Sequence, residues 1–339
     1  MTSASVTVAI PVRNGGDLFA GVLRALAAQT VAHELLVCDS ASTDGSAEAA
    51  RAHGARVIEI APSDFNHGAT RNLLIGEAAG DHVALLSQDA EPGDERWLEH
   101  LLGGFELAPD VALVFGPYRP RPDATAPVRM ELERWFGLLA PGGQPRLDRL
   151  DGDERRTLHA DALIGARGFF TDANACIARA AWEAVPFRAV PYAEDRALAI
   201  DMLRAGYAKA FVPAAAVVHS HRYPARDELR RSFDEWRGLA EVYGFVEPAS
   251  PGHLLRRLRG ELGHARRTLA AEGAGPARRA ATLVAVSRHN VVRLAGALLG
   301  SRAERLPTRA RRALSLERRA GFEPLDASKT GAGPPQQTP

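Results

Sequence analysis

The chain has 339 residues, of which 46% are hydrophobic and 24% charged; this suits about two globular domains and excludes a fibrous or wholly disordered polypeptide. Two cysteines, Cys38 and Cys176, are too few for a disulfide framework, and no Cys-x-x-Cys pair offers zinc or redox chemistry. The formal net charge is +1, no basic n-region precedes an apolar stretch at the N-terminus, and no apolar run is long enough to span a bilayer, so a cytoplasmic protein is expected.

Short apolar runs alternate with helical patterns from the start. VTVAIPV (6–12), ELLVC (34–38), RVIEI (56–60), HVALLS (82–87) and VALVF (111–115) read as buried strands. Between them, residues 17–29, 44–53, 70–79 and 92–107 place apolar residues three and four apart. This βαβα series predicts an α/β fold with a mainly parallel sheet and helices on both faces. Prolines at 117, 120, 122, 127, 141 and 145 then break any long element, so residues 117–160 read as an insertion or lid rather than a strand of the main sheet. Order returns with a strand at 174–178, a helix at 194–205, strands at 209–212 and 216–219, and a helix at 227–243.

Beyond residue 250 the charge balance changes. Residues 1–250 carry 25 Lys and Arg against 35 Asp and Glu, whereas residues 251–339 carry 17 against 6. The reading is therefore a body over 1–250, an Arg-rich helical appendage over 251–325 and a disordered tail over 326–339. The basic segment suits either an anionic membrane surface or a solvated helical appendage that packs on the body; nucleic acid is not expected, because no aromatic-interleaved or helix-turn-helix pattern accompanies the charge.

In an open parallel sheet, ligands bind where loops converge at the carboxyl ends of the strands. Asp39 ends the second strand, where it can accept hydrogen bonds from a base or ribose, or cap the next helix. Arg71 enters a helix from a Gly-containing loop, suited to a diphosphate or to an ordinary ion pair. Asp89 sits at the mouth of the fourth strand, where a divalent cation with oxygen ligands can bridge phosphates. Glu194 and Asp195 open a helix, as first-turn acids or as a general base. His219 and His221 follow an apolar strand, and either imidazole can complete a metal shell with Asp89 or serve the structure alone.

The ordered series PVRN, DSASTDGS, FNHGATRN, SQDAEP, FFTDANACIARAAWEAVPF, PYAEDRALAIDMLRAGY and VVHSHRY resembles glycosyltransferase family 2, with its GT-A fold, over residues 5–245. FNHGATRN, the QDA form and HSH look most like the rhamnosyltransferases of bacterial surface-polysaccharide assembly, as does LPTRARRALSLERR at 306–319. The resemblance implies that Pro11, Arg13, Asp39 and Gln88 hold the nucleotide, with Arg71 beside the diphosphate. It makes Asp89 the metal-binding member of an Asp-x-Asp motif reduced here to Ser87-Gln88-Asp89, with His219 reaching the metal, Mg2+ or Mn2+. Asp195 becomes the base and Glu194 its neighbour near the acceptor, while Asp172, Asn174 and His221 lie toward donor sugar or acceptor. The implied reaction is inverting transfer of a sugar, rhamnose from dTDP-rhamnose by subgroup analogy, to a saccharide or polyprenyl-linked acceptor. A non-catalytic nucleotide-sugar-binding or scaffold protein and a nucleotidyltransferase are the rival classes; the reduced motif allows the first, but Asp89 and Glu194-Asp195 argue against it, and no Gly-rich, Lys-containing loop follows the first strand to suit the second.

Overall fold

In the computed structural model, which describes residues 5–190 and 192–316, the apolar runs become strands, and all but the edge strand at 56–59 are buried on both faces, as continuous rather than alternating hydrophobicity requires. The first units are β1 (Val6–Val12), α1 (Gly16–Ala27), β2 (Glu34–Asp39), α2 (Ser46–Ala52), β3 (Arg56–Glu59), α3 (His67–Glu77) and β4 (His82–Leu86). They continue through β5 (Glu91–Pro92), α4 (Trp97–Gly103), β6 (Val111–Phe115) and β7 (Tyr118–Arg119). The Pro-rich stretch forms α5 (Ala126–Leu139), β8 (Arg146–Asp148) and α6 (Gly152–Thr157). The rest of the body is β9 (Asn174–Ala178), α7 (Arg179–Ala184), α8 (Glu194–Ala205), β10 (Ala208–Phe211), β11 (Val217–Val218) and α9 (Ala225–Tyr243). Three helices follow: α10 (Pro251–Ala271), α11 (Pro276–Gly300) and α12 (Thr308–Leu314).

The main sheet runs β3-β2-β1-β4-β9-β6-β10-β8. Pairs β1–β2, β2–β3, β1–β4 and β6–β10 are parallel, while β9 is antiparallel to both neighbours. Alternate side chains feed two cores. Val8, Ile10 and Val12 pack with Phe19, Leu23 and Trp97 on one face, and Leu36, Leu85, Phe115 and Ile177 pack with Leu74 and Phe170 on the other. A small sheet, β5-β11-β7, stands beside it.

The expectation that 117–160 lies outside the sheet needs correcting. β8 pairs antiparallel with β10 as the edge strand, and across the pair Lys209 and Asp148 form a buried ion pair with Nζ and Oδ2 2.7 Å apart. The cation also sits 5.1 Å from the Phe115 ring centroid.

The Arg-rich segment packs on the body through α11, which lies along α9. A Cβ at Gly300 would sit 2.3 Å from the Phe233 carbonyl oxygen, and one at Gly296 would sit 2.6 Å from that of Leu229, so only glycine lets the helices approach this closely. Beside them Arg293 meets Glu131, Glu228 and Glu235 at 3.1, 3.2 and 3.3 Å. Among the described residues no helix is long and apolar enough to cross a membrane. The tail expected to be disordered, 326–339, lies outside the described residues.

Candidate active site

The carboxyl ends of β1, β2 and β4 are stitched into one rim. Asn14 and Ala41 both take left-handed backbone, with φ of 49° and 54°, a conformation unusual for residues bearing a Cβ. The loops then exchange hydrogen bonds: Asn14 N–H donates to Ser42 Oγ (2.9 Å) and Thr43 N–H donates to Asn14 Oδ1 (2.8 Å). Gln88 joins them to β4, accepting from Arg13 N–H at 2.7 Å and donating to the Arg13 carbonyl at 3.3 Å. Its amide therefore fixes the backbone beside half-buried Pro11 and leaves the Arg13 side chain exposed.

Asp39 ends β2 almost fully buried. Its Oδ1 accepts from Ser42 N–H at 2.9 Å, while Oδ2 has no hydrogen-bond partner among the described residues. A buried carboxylate oxygen left unpaired is costly, so this position calls for a donor such as a ring N–H or a ribose hydroxyl.

At the end of β4, Asp89 faces two imidazoles. Asp89 Oδ1 lies 3.5 Å from His219 Nδ1 and Oδ2 lies 3.6 Å from His221 Nδ1. β11 stops at Val218, yet both rings converge, packed edge to face with centroids 4.7 Å apart. The His221 ring stacks on Tyr223, and Arg121 donates to the Asp89 carbonyl. Burial pushes the pKa of His219 down, and burial with the neighbouring His219 pushes that of His221 down to about 4. Both shifts favour the neutral imidazole, the form that keeps a lone pair for a metal. The three potential ligand atoms lie within 4.8 Å of one another, and this carboxylate and bis-imidazole set fits a divalent cation.

The third group surrounds Arg71. Asn66 caps α3 by accepting from Ala69 N–H at 3.0 Å, which sets His67 and Arg71 one turn apart on the helix. Buried Arg71 places Nε 2.5 Å from Asp172 Oδ2, an ion pair out of hydrogen-bond alignment, and donates through Nη1 to Glu194 Oε1 at 3.2 Å. Burial drives the pKa of Asp172 well above the carboxylate range, against the pull of Arg71. Asp195 keeps 20% of its side-chain surface, and burial, aided by the charge of Glu194, pushes it up to about 6 despite Arg196. The two acids open α8 behind Ala193, whose φ is 60°.

Tyr118, which the sequence reading did not single out, stands between the last two groups. Its ring packs edge-on to His219, its hydroxyl meets Thr171 Oγ1, and the charges of Asp195 and Asp172 add to burial in raising its pKa. Tyr118 thus links two groups, Asp89 with His219 and His221 on one side and Arg71 with Asp172, Glu194 and the neighbouring Asp195 on the other. Asn174 stands apart. Its carbonyl accepts from Trp97 Nε1 (2.8 Å) and its amide donates to Ala215 (2.8 Å) and Pro117 (3.3 Å), so it ties the two sheets together.

Three comparisons bear on this arrangement. A family model described as glycosyl transferase family 2 matches residues 7–171, a span that includes Asp39, Arg71 and Asp89 but ends before α8. The O-antigen chain rhamnosyltransferase WbaN of Salmonella anatum is 34% identical over 206 residues, 59% of this chain and 61% of WbaN. RfbN of Salmonella typhimurium, another O-antigen chain rhamnosyltransferase, is 30% identical over 239 residues, 68% of this chain and 70% of RfbN. Among solved structures, the mannosyltransferase PcManGT of Pyrobaculum calidifontis, in complex with GDP-Man and Mn2+, shares the fold with a TM-score of 0.57 at 19% identity, over 88% of this chain and 87% of that one.

Proposed function

The chain belongs to glycosyl transferase family 2, and from that premise we propose that it is a nucleotide-sugar-dependent transferase acting with inversion at the anomeric carbon. One arrangement supports the reading: Tyr118 packs on His219 of an Asp-His-His set suited to a cation and lies in the field of Asp195, a carboxylate whose pKa burial raises to about 6. Asp195 takes the proton of an acceptor hydroxyl as that oxygen attacks the anomeric carbon and the bond to the nucleoside diphosphate breaks. A general base works best with a pKa near the operating pH, and such help is typically worth roughly 10²–10⁴-fold.

Asp39 accepts from the nucleotide through its unpaired oxygen, and Pro11 and Arg13 border the same pocket, held in place by Gln88. Arg71 is committed to Asp172 and Glu194, so we assign it to balancing their charge; its influence on the diphosphate acts through its field. Asp172 faces the donor sugar or the acceptor; Asn174 acts as a structural tie rather than a sugar contact. Asp89, His219 and His221 would hold Mg2+ or Mn2+. When bound, such an ion neutralises charge developing on the leaving diphosphate.

Similarity to two O-antigen chain rhamnosyltransferases supports rhamnose as the sugar, with dTDP as its carrier, and a saccharide or polyprenyl-linked acceptor in surface-polysaccharide synthesis. Exposed arginines on α10 and α11, among them Arg256, Arg259, Arg266, Arg267, Arg278 and Arg288, support attachment to the anionic inner face of the cytoplasmic membrane. The test is a thermal-shift panel of dTDP-, UDP- and GDP-sugars with and without Mn2+, followed by transfer assays on the best donor. A ligand of the native state raises its melting temperature by mass action. A dTDP-sugar should give the largest shift, dependent on the cation; binding without any turnover would favour a scaffold instead.

A further inference from the structure

On α9, Arg230, Asp234 and Gly238 follow one another at intervals of four and form a single stripe. Its two ends serve different parts of the chain. At one end Arg230 Nε donates to the Ala313 carbonyl (3.1 Å), closing the end of α12. In the middle, fully buried Asp234 accepts through Oδ2 from Leu316 N–H (2.7 Å), Ser315 Oγ–H (3.2 Å) and Tyr192 O–H (3.4 Å). At the other end Gly238 lies against Tyr192 itself: a Cβ there would sit 2.6 Å from Tyr192 Cβ and 2.9 Å from its carbonyl oxygen. The Arg231 guanidinium, 6.0 Å from the Tyr192 ring centroid, adds a cation over the ring.

Tyr192 immediately precedes Ala193, the left-handed residue from which α8 starts with Glu194 and Asp195. A residue with a Cβ stays in that region only where its surroundings over-determine it. From these contacts we infer that Asp234 and Gly238 are positioning residues for Asp195, and that the segment Ser315–Leu316 locks them: the C-terminal chain fastens the α9 clamp on Tyr192, and the clamp aims the first turn of α8. The inference rests on Asp195 being the base. It assigns the basic C-terminal segment a task at the active site besides its surface charge. A displacement of about 1 Å at a catalytic group can cost on the order of 10²-fold in rate, so a distant lock can govern turnover.

The experiment uses full-length protein carrying Ser315→Ala with Leu316→Pro, which removes both donors of the lock. Ser315 has φ −79° and ψ 137°, the extended backbone favoured before proline, so the change suits the local geometry. The expected result is a kcat at least tenfold lower with donor KM within twofold, and faster amide exchange at 192–196. Asp234→Asn, which keeps an oxygen acceptor, should hold kcat within threefold, whereas Asp234→Leu should lose as much as the double variant. Wild-type kcat and wild-type exchange at 192–196 in the double variant would overturn the inference. Should that variant not fold, Ser315→Ala alone is read by the same exchange measurement, and unchanged protection at 192–196 counts against the lock. Exchange needs no turnover, so a wild-type protein that transfers no sugar would refute the proposed activity while leaving the clamp to be judged by itself.

Discussion

The ring of Tyr118 meets that of His219 edge-on, with centroids 4.9 Å apart and planes at 77°, while its hydroxyl reaches Thr171, the residue before Asp172. One side chain thus touches the imidazole proposed to bind a cation and the loop that carries Asp172. Tyr118→Phe keeps the ring and removes only the bridge to Thr171, so cation affinity should stay within twofold while kcat falls severalfold. Tyr118→Ala also removes the wall beside His219, and both should drop. Calorimetry with Mn2+ beside a transfer assay separates the two; equal loss in both variants would assign the whole effect to the hydroxyl.

With Asp195 as the proposed base, its ionisation should set the acid limb of the rate. Its folded pKa is raised to about 6, mainly by burial, so the reactive carboxylate form fills as pH rises through 6. Below that value kcat/KM should fall tenfold per pH unit and above it level off. Asp195→Asn should reduce kcat by roughly 10²–10⁴-fold with donor affinity retained. A flat profile between pH 5 and 8 would remove Asp195 from the role of base.

Arg71→Ala leaves Asp172 and Glu194 in the interior without their cation, a loss that typically costs about 3–5 kcal/mol. The pH dependence has a definite sign. Asp172 has a raised folded pKa, so the folded state holds a proton that the unfolded state releases, and stability falls as pH climbs from the ordinary carboxylate range toward that raised value. Removing Arg71 strengthens this effect. Urea unfolding should therefore show a larger deficit for the variant at pH 8 than at pH 5, and a deficit independent of pH would argue against an electrostatic origin.

The cation set predicts its own hierarchy. His219 retains 10% of its side-chain surface and His221 retains 44%, so the first ring is held in place and the second is freer to move. Asp89→Ala and His219→Ala should each weaken Mn2+ binding more than tenfold, measured as lost thermal stabilisation, whereas His221→Ala should cost less. Equal losses for the two histidines would show that both act as fixed ligands.

The parallel half of the sheet was legible because its inner strands are buried on both faces and read as continuous apolar runs. β8 was not. Its three residues, Arg146–Asp148, carry two charges, and the partner that takes up the charge of Asp148, Lys209, is distant in sequence. Asp89, Asp195 and the two histidines could be picked out because carboxylates and imidazoles at strand and helix ends stand out against apolar runs. Tyr118 and the stripe on α9 could not: an aromatic residue, an aspartate and a glycine inside ordinary elements acquire a role only from what packs on them. Gln88 shows a further limit, since a motif position reveals which residue is present but not that its amide is spent on the Arg13 backbone.

The outer face of α11 carries a last prediction. Val284 and Val291 are 69% and 52% exposed, and exposed Arg288 lies between them on the same side of the helix at spacings of four and three. An apolar pair beside a cation suits the boundary between headgroups and acyl chains, where burying a valine side chain gains about 1.5 kcal/mol or more and each basic residue about 1 kcal/mol. Wild-type protein should co-sediment with phosphatidylglycerol vesicles and not with phosphatidylcholine vesicles, and salt should weaken the binding because its Debye length of about 10 Å at 0.1 M screens the arginines. Val284→Glu with Val291→Glu replaces the apolar contact by charges repelled from the anionic surface and should lower binding at least tenfold, while leaving the α9–α11 contact at Gly296 and Gly300 intact. If the double variant binds as the wild type does, the arginines of α10 are the attachment and α11 faces water.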